Sequence, residues 1–325
     1  MSPEWLLTSK NEVFKIMKRL QYDKYGGPEV VRLTSFTLPP PGADEVVVRV
    51  TAASINPVDW KIRSGQLKIM TGSKFPRAMG TDFAGTVEAI GSKVSRFKPG
   101  DAVVGAVSLK ASGAFAPKLI ASEKSVVKKP DNLSFEQAAT LPIAGVTAWC
   151  ALVQKAHLAR GQKVFINGAM GAVGQAAIAI AREIGAEVVG RVGPKSMMQA
   201  QSMGLANVLD YTKPLPDGLN GIFDVVFDCN GSLTPAEEGR LKKKGGKIYD
   251  IAPSASKFIR SLLSRSRKIV FADLKSENLQ QVVDLAVAGK LTLPIVKTCS
   301  LDDAPDVLAS LERGQRLNGK TVITF

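Results

Sequence analysis

The sequence predicts an α/β protein built from two modules, a β-rich barrel-like module and a doubly wound parallel sheet. Up to about residue 140, short runs of β-branched residues alternate with glycine and proline, which is typical of a barrel with irregular loops. From about residue 141, strand-like runs alternate with helix-length segments, which is typical of βαβ units. A glycine-rich turn between one of these strands and the next helix points to the same architecture.

The size and composition are those of a globular protein. The 325 residues are 45% hydrophobic and 22% charged, so a large core can form without a disulfide or a structural metal. The cysteines Cys150, Cys229 and Cys299 lie far apart and indicate packed thiols in a reducing compartment. Because no apolar run reaches about 18 residues, we expect no membrane span. We therefore expect a cytoplasmic protein, with an organelle or a peripheral membrane location left open.

Residues 1–16 precede a second methionine and are interpreted as an N-terminal extension. They lack the apolar segment and small-residue cleavage site of a secretory signal. A disordered or surface-lying segment is the simpler interpretation. A transit peptide stays open, although Glu4, Glu12 and the scarcity of arginine count against it.

The barrel-like module shows short strand-like runs from Leu20 to about Ile120, and one strand is predicted at Glu45–Val50, bounded by Pro39–Gly42 and Pro57. Further strands are predicted at Thr86–Ile90 and Asp101–Gly105. The parallel sheet is predicted from alternating segments of the second module. These are Lys163–Asn167, Gln175–Ile184 (helix), Glu187–Arg191, Lys195–Met203 (helix), Asn207–Asp210, Asp224–Asp228, Lys247–Ile251 and Lys268–Ala272. Helices at Asn278–Ala288 and Ala304–Arg313 and a strand at Thr321–Phe325 follow.

The glycine-rich turn Gly168–Gly174 is the strongest functional signal. Glycine permits the tight turn and a close approach of the backbone to a pyrophosphate, and the following helix offers free N–H groups. Between a strand and a helix of a βαβ unit, this spacing predicts a Rossmann-type dinucleotide site. Its residues are Gly168, Gly171, Ala172, Val173 and Gly174.

The end of the next strand predicts which dinucleotide binds. An acidic residue there would bind the ribose 2′-hydroxyl of NAD and repel a 2′-phosphate. The strand instead runs through Arg191 to Lys195 without an Asp or Glu, and both cations can neutralise a phosphate. We therefore predict NADPH, with the alternative that one of the two cations faces solvent.

The net charge of +14 favours acidic partners, although a basic surface alone also accounts for it. One segment, Ser256–Arg265, has the pattern of an amphipathic basic helix that can lie on an anionic membrane. It lacks the aromatic platform that single-stranded nucleic acid prefers, so nucleic acid is disfavoured.

From Met17 to Phe325 the chain resembles the medium-chain dehydrogenase/reductases, in their zinc-free quinone oxidoreductase branch. Several motifs occur in the order of that family. They are Tyr25–Val30, Ser54–Lys61, Gly80–Gly85, Phe97–Asp101, Leu141–Ala148, the glycine turn and Asn318–Lys320. Asn56–Lys61 (NPVDWK) is most similar to plant chloroplast-envelope quinone oxidoreductase homologues and their bacterial relatives.

The resemblance implies a GroES-like catalytic domain over 17–140 and 275–325 and a Rossmann domain over 141–274. It also implies that Asn56, Thr147 and Asn318 line the nicotinamide end, and that Tyr211 joins Lys195 at the 2′-phosphate. From the sequence alone, Tyr211 is equally well a packed aromatic at a strand end. The resemblance further implies a homodimer, which we place at a strand edge near Lys268–Phe271 because an unpaired apolar edge invites pairing.

Zinc ligands are missing where zinc alcohol dehydrogenases of this fold carry them. The corresponding segments, Asn56–Asp59 and Gly80–Asp82, contain neither cysteine nor histidine. The single histidine, His157, lies in a helix-like segment away from any cysteine cluster. We therefore expect no metal site and no oxidation of alcohols by Lewis-acid activation.

Hydride transfer without a metal requires an acceptor that is already electrophilic, a quinone or an α,β-unsaturated carbonyl. Quinone reduction is the leading prediction, with NADPH-dependent reduction of 2-alkenals or other enones as the alternative.

Lys61 stands where many quinone oxidoreductases carry tyrosine, and as a catalytic residue beside Asn56 it could donate a hydrogen bond to an enolate oxygen. A solvated lysine, or an ion pair with Asp59 or Asp82, is the competing interpretation. A hypothesis of another class is an NADPH-binding scaffold whose basic surface contacts membrane or RNA.

Overall fold

The protein folds around three β-sheets of three, six and seven strands. The computed structural model describes residues 17–251, 255–315 and 317–325. The extension predicted for residues 1–16 lies outside the described residues. Within the described residues, no helix is both long and apolar enough to cross a membrane.

The strands of the first module and of the chain's end share two antiparallel-rich sheets. They are β1 (Met17–Tyr22), β2 (Arg32–Phe36), β3 (Glu45–Ser54), β4 (Arg77–Ala78), β5 (Asp82–Ile90), β6 (Ala102–Ala106), β7 (Lys118–Ser122) and β8 (Val126–Lys128), together with β15 (Ile295–Cys299) and β16 (Lys320–Thr324). Between β8 and β15 lie the strands of the third sheet. They are β9 (Lys163–Asn167), β10 (Glu187–Val192), β11 (Asn207–Asp210), β12 (Phe223–Asp228), β13 (Lys242–Asp250) and β14 (Arg267–Ile269).

Helices connect the strands of both modules. They are α1 (Pro57–Arg63), α2 (Lys68–Thr71), α3 (Phe135–Ala139), α4 (Pro142–Trp149), α5 (Ala172–Ile184), α6 (Met197–Ser202), α7 (Pro235–Leu241), α8 (Ala255–Leu263), α9 (Ser276–Val287) and α10 (Ala304–Glu312). A π-helical turn, Cys150–Lys155, extends α4.

The seven-stranded sheet has the order β15-β16-β3-β5-β6-β8, and β7 pairs with the other part of β3. Its longest strand, β3, alternates buried and less buried side chains over most of its length, since one face packs on the barrel core. Strand β16 pairs antiparallel with β3, so that Val322 lies opposite Ser54. The end of the chain is thereby brought beside the start of α1.

The six-stranded sheet has the order β11-β10-β9-β12-β13-β14, and all its pairings are parallel. The order runs outward in both directions from β9, so the predicted doubly wound fold is confirmed. Because the strand order reverses beside β9, a crevice forms at its carboxyl end, where ligands of such sheets bind. The turn Gly168–Gly174 leaves β9 at this point. The α/β class with a GroES-like module and a Rossmann-type sheet is thus confirmed.

Several predicted boundaries need correction. Helix α5 begins at Ala172 instead of Gln175, because Gly171 has the extended backbone of an N-cap and Gly174 already lies in the first turn. Strand β13 starts at Lys242, five residues earlier than predicted, and β14 ends at Ile269. His157 lies in a turn after the π-helical segment, with a φ of 50°, and not in a helix. The three cysteines are free thiols.

Candidate active site

A buried lysine stands at the junction of the C-terminal strand and the start of α1. Lys320 Nζ donates to Asn56 Oδ1 at 2.6 Å and to the carbonyl of Ile55 at 3.2 Å. Only 3% of Lys320 is exposed. An ammonium group that is taken out of water must be compensated by acceptors, so Lys320 fixes the carbonyl end of the Asn56 amide.

The other end of that amide is held equally firmly. Asn56 Nδ2 donates to Asp82 Oδ2 at 2.9 Å and to the carbonyl of Ser54 at 3.2 Å. Asp82 also accepts from the backbone N–H of Ile143, in the first turn of α4, at 3.2 Å. Asn56 and α4 are thereby joined through one carboxylate. Since both ends of the Asn56 amide are occupied inside the protein, the side chain positions its surroundings.

A second carboxylate lies beneath the first turn of α1. Asp59 Oδ2 accepts from the backbone N–H of Asn56 at 2.7 Å, and Thr81 Oγ1 lies 3.3 Å from Asp59 Oδ1. Burial raises the pKa of Asp59 to about 8, and the nearby charge of Asp82 raises it as well. Burial raises the pKa of Asp82 to about 7, against the opposing effect of Lys320. Near neutral pH, Asp59 therefore holds a proton.

Lys61 lies on α1, two residues beyond Asp59, and is half-buried. Burial lowers the pKa of Lys61, while the negative charge of Asp250, at the end of β13, opposes that effect. The Lys61 ammonium is thus within electrostatic range of a carboxylate of the six-stranded sheet. Among the described residues no carboxylate forms an ion pair with it. The alternative of a pair with Asp59 or Asp82 does not hold, since both carboxylates are engaged elsewhere.

Thr147 lies on α4, one turn after the amide that binds Asp82. Its hydroxyl donates to the carbonyl of Ile143 at 2.6 Å, and the residue is 6% exposed. Because the hydroxyl proton is used within the helix, the oxygen is oriented as an acceptor. Thr147 and Asn56 are therefore linked through Ile143 and Asp82.

The glycine turn has the form that phosphate binding requires. Gly168 has a φ of +74°, and its N–H and that of Ala169 both donate to the carbonyl of Arg191. A Cβ on Gly174 would lie 2.4 Å from the carbonyl oxygen of Gly168, so the helix can approach the turn only with glycine there. In the described part of the chain, nothing accepts from the N–H groups of Ala172, Val173 and Gly174. This helix start can receive an anion.

The far end of β10 holds the residues predicted at the 2′-phosphate. Arg191 is buried, and its guanidinium donates to Glu237 at 3.0 Å and to the carbonyl of Tyr211 at 3.2 Å. Lys195 is exposed and makes no ion pair in the part of the chain that the structure describes. Tyr211 is 46% exposed and packs beside Gly193. Lys195 and Tyr211 are thus available to a ligand, whereas Arg191 shares its charge with Glu237.

Asn318 is half-buried and bridges the two modules at a different point from Asn56. Its Oδ1 accepts from Ser196 Oγ at 3.0 Å, and its carbonyl accepts from Gln199 Nε2 at 3.5 Å. This places Asn318 beside the residue that follows Lys195. Two residues later, Lys320 reaches Asn56. The C-terminal segment therefore runs between the two ends of the crevice.

A zinc ion does not fit the residues around Asn56. The segments that correspond to the zinc ligands bring Asp59 and Asp82 together, without a thiolate or an imidazole, and both carboxylates already bind protein donors. Elsewhere in the described residues, Asp228, Glu238 and Asp250 lie close together and are buried. Lys257 and Arg267 are paired with this acidic group, so two cations of the protein offset most of its negative charge.

Sequence reasoning missed three residues that shape this site. The sequence predicts no role for Lys320 or Glu237, and for Asp82 it offers only a possible ion pair with Lys61. The role of Lys320 could have been inferred from its position at the start of an apolar strand, because a charged residue that is buried there must have a partner. No local pattern could reveal Glu237, because its distance from Arg191 in sequence is 46 residues.

Comparisons with known proteins agree with this architecture. Residues 42–131 match the alcohol dehydrogenase GroES-like domain family, and residues 203–323 match the family described as zinc-binding dehydrogenase. The chloroplast envelope quinone oxidoreductase homolog of Arabidopsis thaliana is 34% identical over 95% of this chain and 98% of that protein.

Two further relatives are similar over most of the chain. The chloroplastic NADPH-dependent alkenal/one oxidoreductase of Arabidopsis thaliana is 33% identical over 86% of this chain and 74% of that protein. The structure of the quinone oxidoreductase from Coxiella burnetii superposes with a TM-score of 0.84 at 28% identity, covering 96% of this chain and all of that one. Fold, glycine turn and relatives together show that the chain belongs to the medium-chain dehydrogenase/reductase family, in its quinone oxidoreductase branch, whose members use a nicotinamide cofactor.

Proposed function

We propose that the protein is a zinc-independent oxidoreductase that reduces a quinone with NADPH. The observation that carries the proposal is the engagement of the polar groups around Asn56. Asp59 and Asp82 accept hydrogen bonds from Asn56, and Lys320 donates one to it. Neither a thiolate nor an imidazole lies among these groups. Such a site offers little activation of its own, so it suits an acceptor that is already electrophilic. Quinones are such acceptors, and relatives bear that name.

The chain's residues hold the cofactor from both sides of the crevice, and the bound nicotinamide would supply the hydride. The free N–H groups of Ala172, Val173 and Gly174 would hold the pyrophosphate at the start of α5. The oxygen of Thr147, whose proton is donated to Ile143, would be available to accept a hydrogen bond from the nicotinamide end of the cofactor. Asn56 keeps α1 and α4 in a fixed relation through Asp82, so that the acceptor and the nicotinamide meet in a defined orientation.

NADPH is the form of cofactor that the end of β10 favours. Lys195 and Tyr211 are exposed there and can bind the 2′-phosphate, and Arg191 adds positive charge beneath them. Glu237 offsets part of that charge. Asn318, which the resemblance implies at the nicotinamide end, contacts Ser196 beside Lys195. An NADPH-dependent relative points in the same direction.

Reduction of an enone is the second candidate function, and Lys61 is the observation that favours it. Reduction of a 2-alkenal leaves charge on the carbonyl oxygen and requires a proton at the α-carbon. Lys61 is half-buried, is influenced by the charge of Asp250 at the end of β13 and forms no ion pair within the described residues. Its ammonium can therefore donate a hydrogen bond to an enolate oxygen.

Steady-state oxidation of NADPH with a panel of quinones and 2-alkenals, followed by product analysis, tests both functions. A higher kcat/KM with quinones supports the first proposal, and a higher value with 2-alkenals supports the second. Tight NADPH binding without turnover of any acceptor would reject both and leave the scaffold hypothesis.

We further propose a homodimer formed through β14. This strand ends the six-stranded sheet, and Phe271 just beyond it is 38% exposed. Edge pairing between two copies would satisfy the free backbone groups. The domain limits at 140/141 and 274/275 and a cytoplasmic location remain part of the proposal. Sedimentation equilibrium tests the dimer, and a single monomeric species at high protein concentration would contradict it.

A further inference from the structure

Helix α8 packs on the protein through its polar side. Lys257 Nζ donates to the carbonyl of Gly231 at 2.7 Å and to Asp250 Oδ2 at 2.5 Å. One turn later, Ser261 Oγ accepts from the backbone N–H of Ile269 at 3.2 Å. Residues four apart lie on the same face of a helix. This face, which points toward β13 and β14, is therefore held by polar contacts.

The opposite side of α8 is apolar and faces solvent. Ile259, Leu262 and Leu263 are 57%, 71% and 83% exposed. Their spacing of three and four residues makes one stripe, which lies across the helix from Lys257 and Ser261. A helix on the surface of a globular protein usually buries its apolar stripe against the core. The orientation of α8 is the reverse, so its exposed stripe requires a different explanation.

Exposed cations lie on α8 and on the neighbouring strands β13 and β14. Arg260, Arg265, Lys247 and Lys268 are all exposed, and in the described ranges none of them forms an ion pair with a carboxylate. Lys247 lies next to Arg265, since its Nζ donates to the carbonyl of Arg265 at 3.4 Å. The acidic residues beneath, Asp250 and Glu238, are buried and paired with cations. Helix α8 and the strands beside it thus present exposed apolar side chains together with exposed cations.

We propose that α8 docks the protein on an anionic phospholipid surface. Ile259, Leu262 and Leu263 enter the boundary between headgroups and acyl chains. Arg260, Arg265, Lys247 and Lys268 then lie at the level of the lipid phosphates. This arrangement is the one that interfacial amphipathic helices adopt. It does not depend on which acceptor the enzyme reduces.

Charge favours a lipid surface over a second copy of the chain as the occupant. Two copies that met through the α8 stripe, instead of through the β14 edge proposed above, would bring Arg260 and Arg265 of both copies together, which costs free energy. An anionic bilayer instead complements them, and the whole chain carries a net charge of +14 that acts in the same direction. A short stripe of three apolar side chains is suited to shallow insertion.

Co-sedimentation of the purified full chain with vesicles tests the proposal. One set of vesicles is phosphatidylcholine alone, and the other is equal parts phosphatidylcholine and phosphatidylglycerol. We expect binding to the anionic vesicles only, and binding that weakens as salt is raised. Failure of the wild-type protein to sediment with anionic vesicles at low salt would overturn the proposal.

Two variants separate the contributions of apolar contact and charge. Ile259→Ser/Leu262→Ser/Leu263→Ser should lower the vesicle affinity about tenfold or more, and Arg260→Gln/Arg265→Gln/Lys268→Gln should do the same at low salt. Ile69→Ser/Met198→Ser and Lys93→Gln/Lys98→Gln/Lys110→Gln change similarly exposed residues elsewhere. These two controls should bind as the wild type does. Equal binding by the triple serine variant and the wild type would reject the role of α8.

Two further measurements keep the result unambiguous. Turnover of a water-soluble quinone, or NADPH binding if there is no turnover, should be unchanged in both α8 variants, because the altered side chains are outside the active site. Unchanged turnover or NADPH binding would show that both α8 variants are folded, whether or not the proposed quinone reduction is correct. Sedimentation velocity reports the alternative occupant. One combination of results would show that a second copy covers α8 and that the lipid proposal is wrong. In it, the wild type is dimeric, the triple serine variant is monomeric, and neither protein binds vesicles.

Discussion

The ammonium of Lys320 lies 2.6 Å from the Oδ1 atom of Asn56, although 264 residues separate them in sequence. This contact joins β16, the last strand, to the first turn of α1. It also orients the Asn56 amide so that Nδ2 points to Asp82. A single buried cation therefore determines how α1, β5 and α4 meet at the crevice.

Replacement of Lys320 by methionine should weaken the fold. The variant keeps most of the side-chain volume but leaves the Asn56 carbonyl and the Asp82 carboxylate without their cation. Removal of one partner of a buried charged pair typically costs about 3–5 kcal/mol. Urea unfolding at pH 8 would measure the loss, with Lys18→Met on the exposed side of β1 as the control. A loss equal to that of the control would show that the contact is not stabilising.

Substitution of Asp59 by asparagine should make the protein less sensitive to pH. The pKa of Asp59 is about 8 in the folded protein and close to about 4 when unfolded. The folded state therefore binds a proton that the unfolded state has released. Stability falls as pH rises from about 4 to about 8, by up to about 1.4 kcal/mol per pH unit for this group. Asparagine supplies the neutral form at every pH, with Nδ2 as a donor to Thr81.

The free energy of unfolding of the wild type and Asp59→Asn should be compared across that range. The variant's stability relative to the wild type should increase with pH up to about 8 and then become constant. Asp306→Asn, an exposed change in the first turn of α10, serves as the control. A difference between wild type and Asp59→Asn that does not vary with pH would mean that Asp59 is ionised in the folded protein throughout.

The fold and the phosphate turn were predictable because local patterns determine them. The alternation of strands and helices and the turn Gly168–Gly174 depend on periodicity and on backbone conformations that glycine allows. The network of Lys320, Asn56 and Asp82 depends on tertiary pairing of β16 with β3, which no local pattern encodes. Arg191 illustrates the same limit. The sequence shows its charge and its place on β10, but Glu237, which takes part of that charge, comes from a distant helix.

Alanine at Gly174 should disrupt the phosphate turn, whereas alanine at Gly171 should not. At Gly174 the new methyl group would meet backbone atoms of Gly168 and Ala169 at 2.4 Å and 2.7 Å, which cannot move aside without a change in the turn. At Gly171 the nearest atom is 3.3 Å away, and the φ of −72° is open to any residue. We expect NADPH affinity to fall at least about tenfold in Gly174→Ala and to stay within about threefold in Gly171→Ala. Fluorescence titration measures both, and equal affinities would contradict the assignment of the turn.

Lys195 and Glu237 should act in opposite directions on the choice of cofactor. Loss of one charge-assisted hydrogen bond to a phosphate costs about 1.5–3 kcal/mol, so Lys195→Ala should weaken NADPH binding about tenfold or more. It should leave NADH binding nearly unchanged. Glu237→Gln should strengthen NADPH binding, because Arg191 no longer shares its charge with a carboxylate. Lys93→Ala, an exposed change in the other module, is the control.

Titration of each variant with NADPH and NADH would decide the matter. A loss of affinity that is the same for both cofactors in Lys195→Ala would reject a role at the 2′-phosphate. Weaker NADPH binding in Glu237→Gln would mean that the Arg191–Glu237 pair maintains the shape of this end of the crevice instead of limiting its charge.

Lys61→Met should separate the two candidate reactions. An enone requires a donor to its developing oxygen charge, and general acid or hydrogen-bond assistance of this kind is worth about 10²-fold or more. A quinone needs less help, so its kcat/KM should change by less than about threefold. Burial lowers the pKa of Lys61, so in the wild type the rate with 2-alkenals should fall at high pH as the ammonium loses its proton. Lys68→Met, an exposed change on α2, is the matched control. A hydrogen-bond donor to the acceptor's oxygen would affect the 2-alkenal more than the quinone. If the kcat/KM values for both acceptors instead fall by the same factor, Lys61 acts on the shape of the crevice or on cofactor binding.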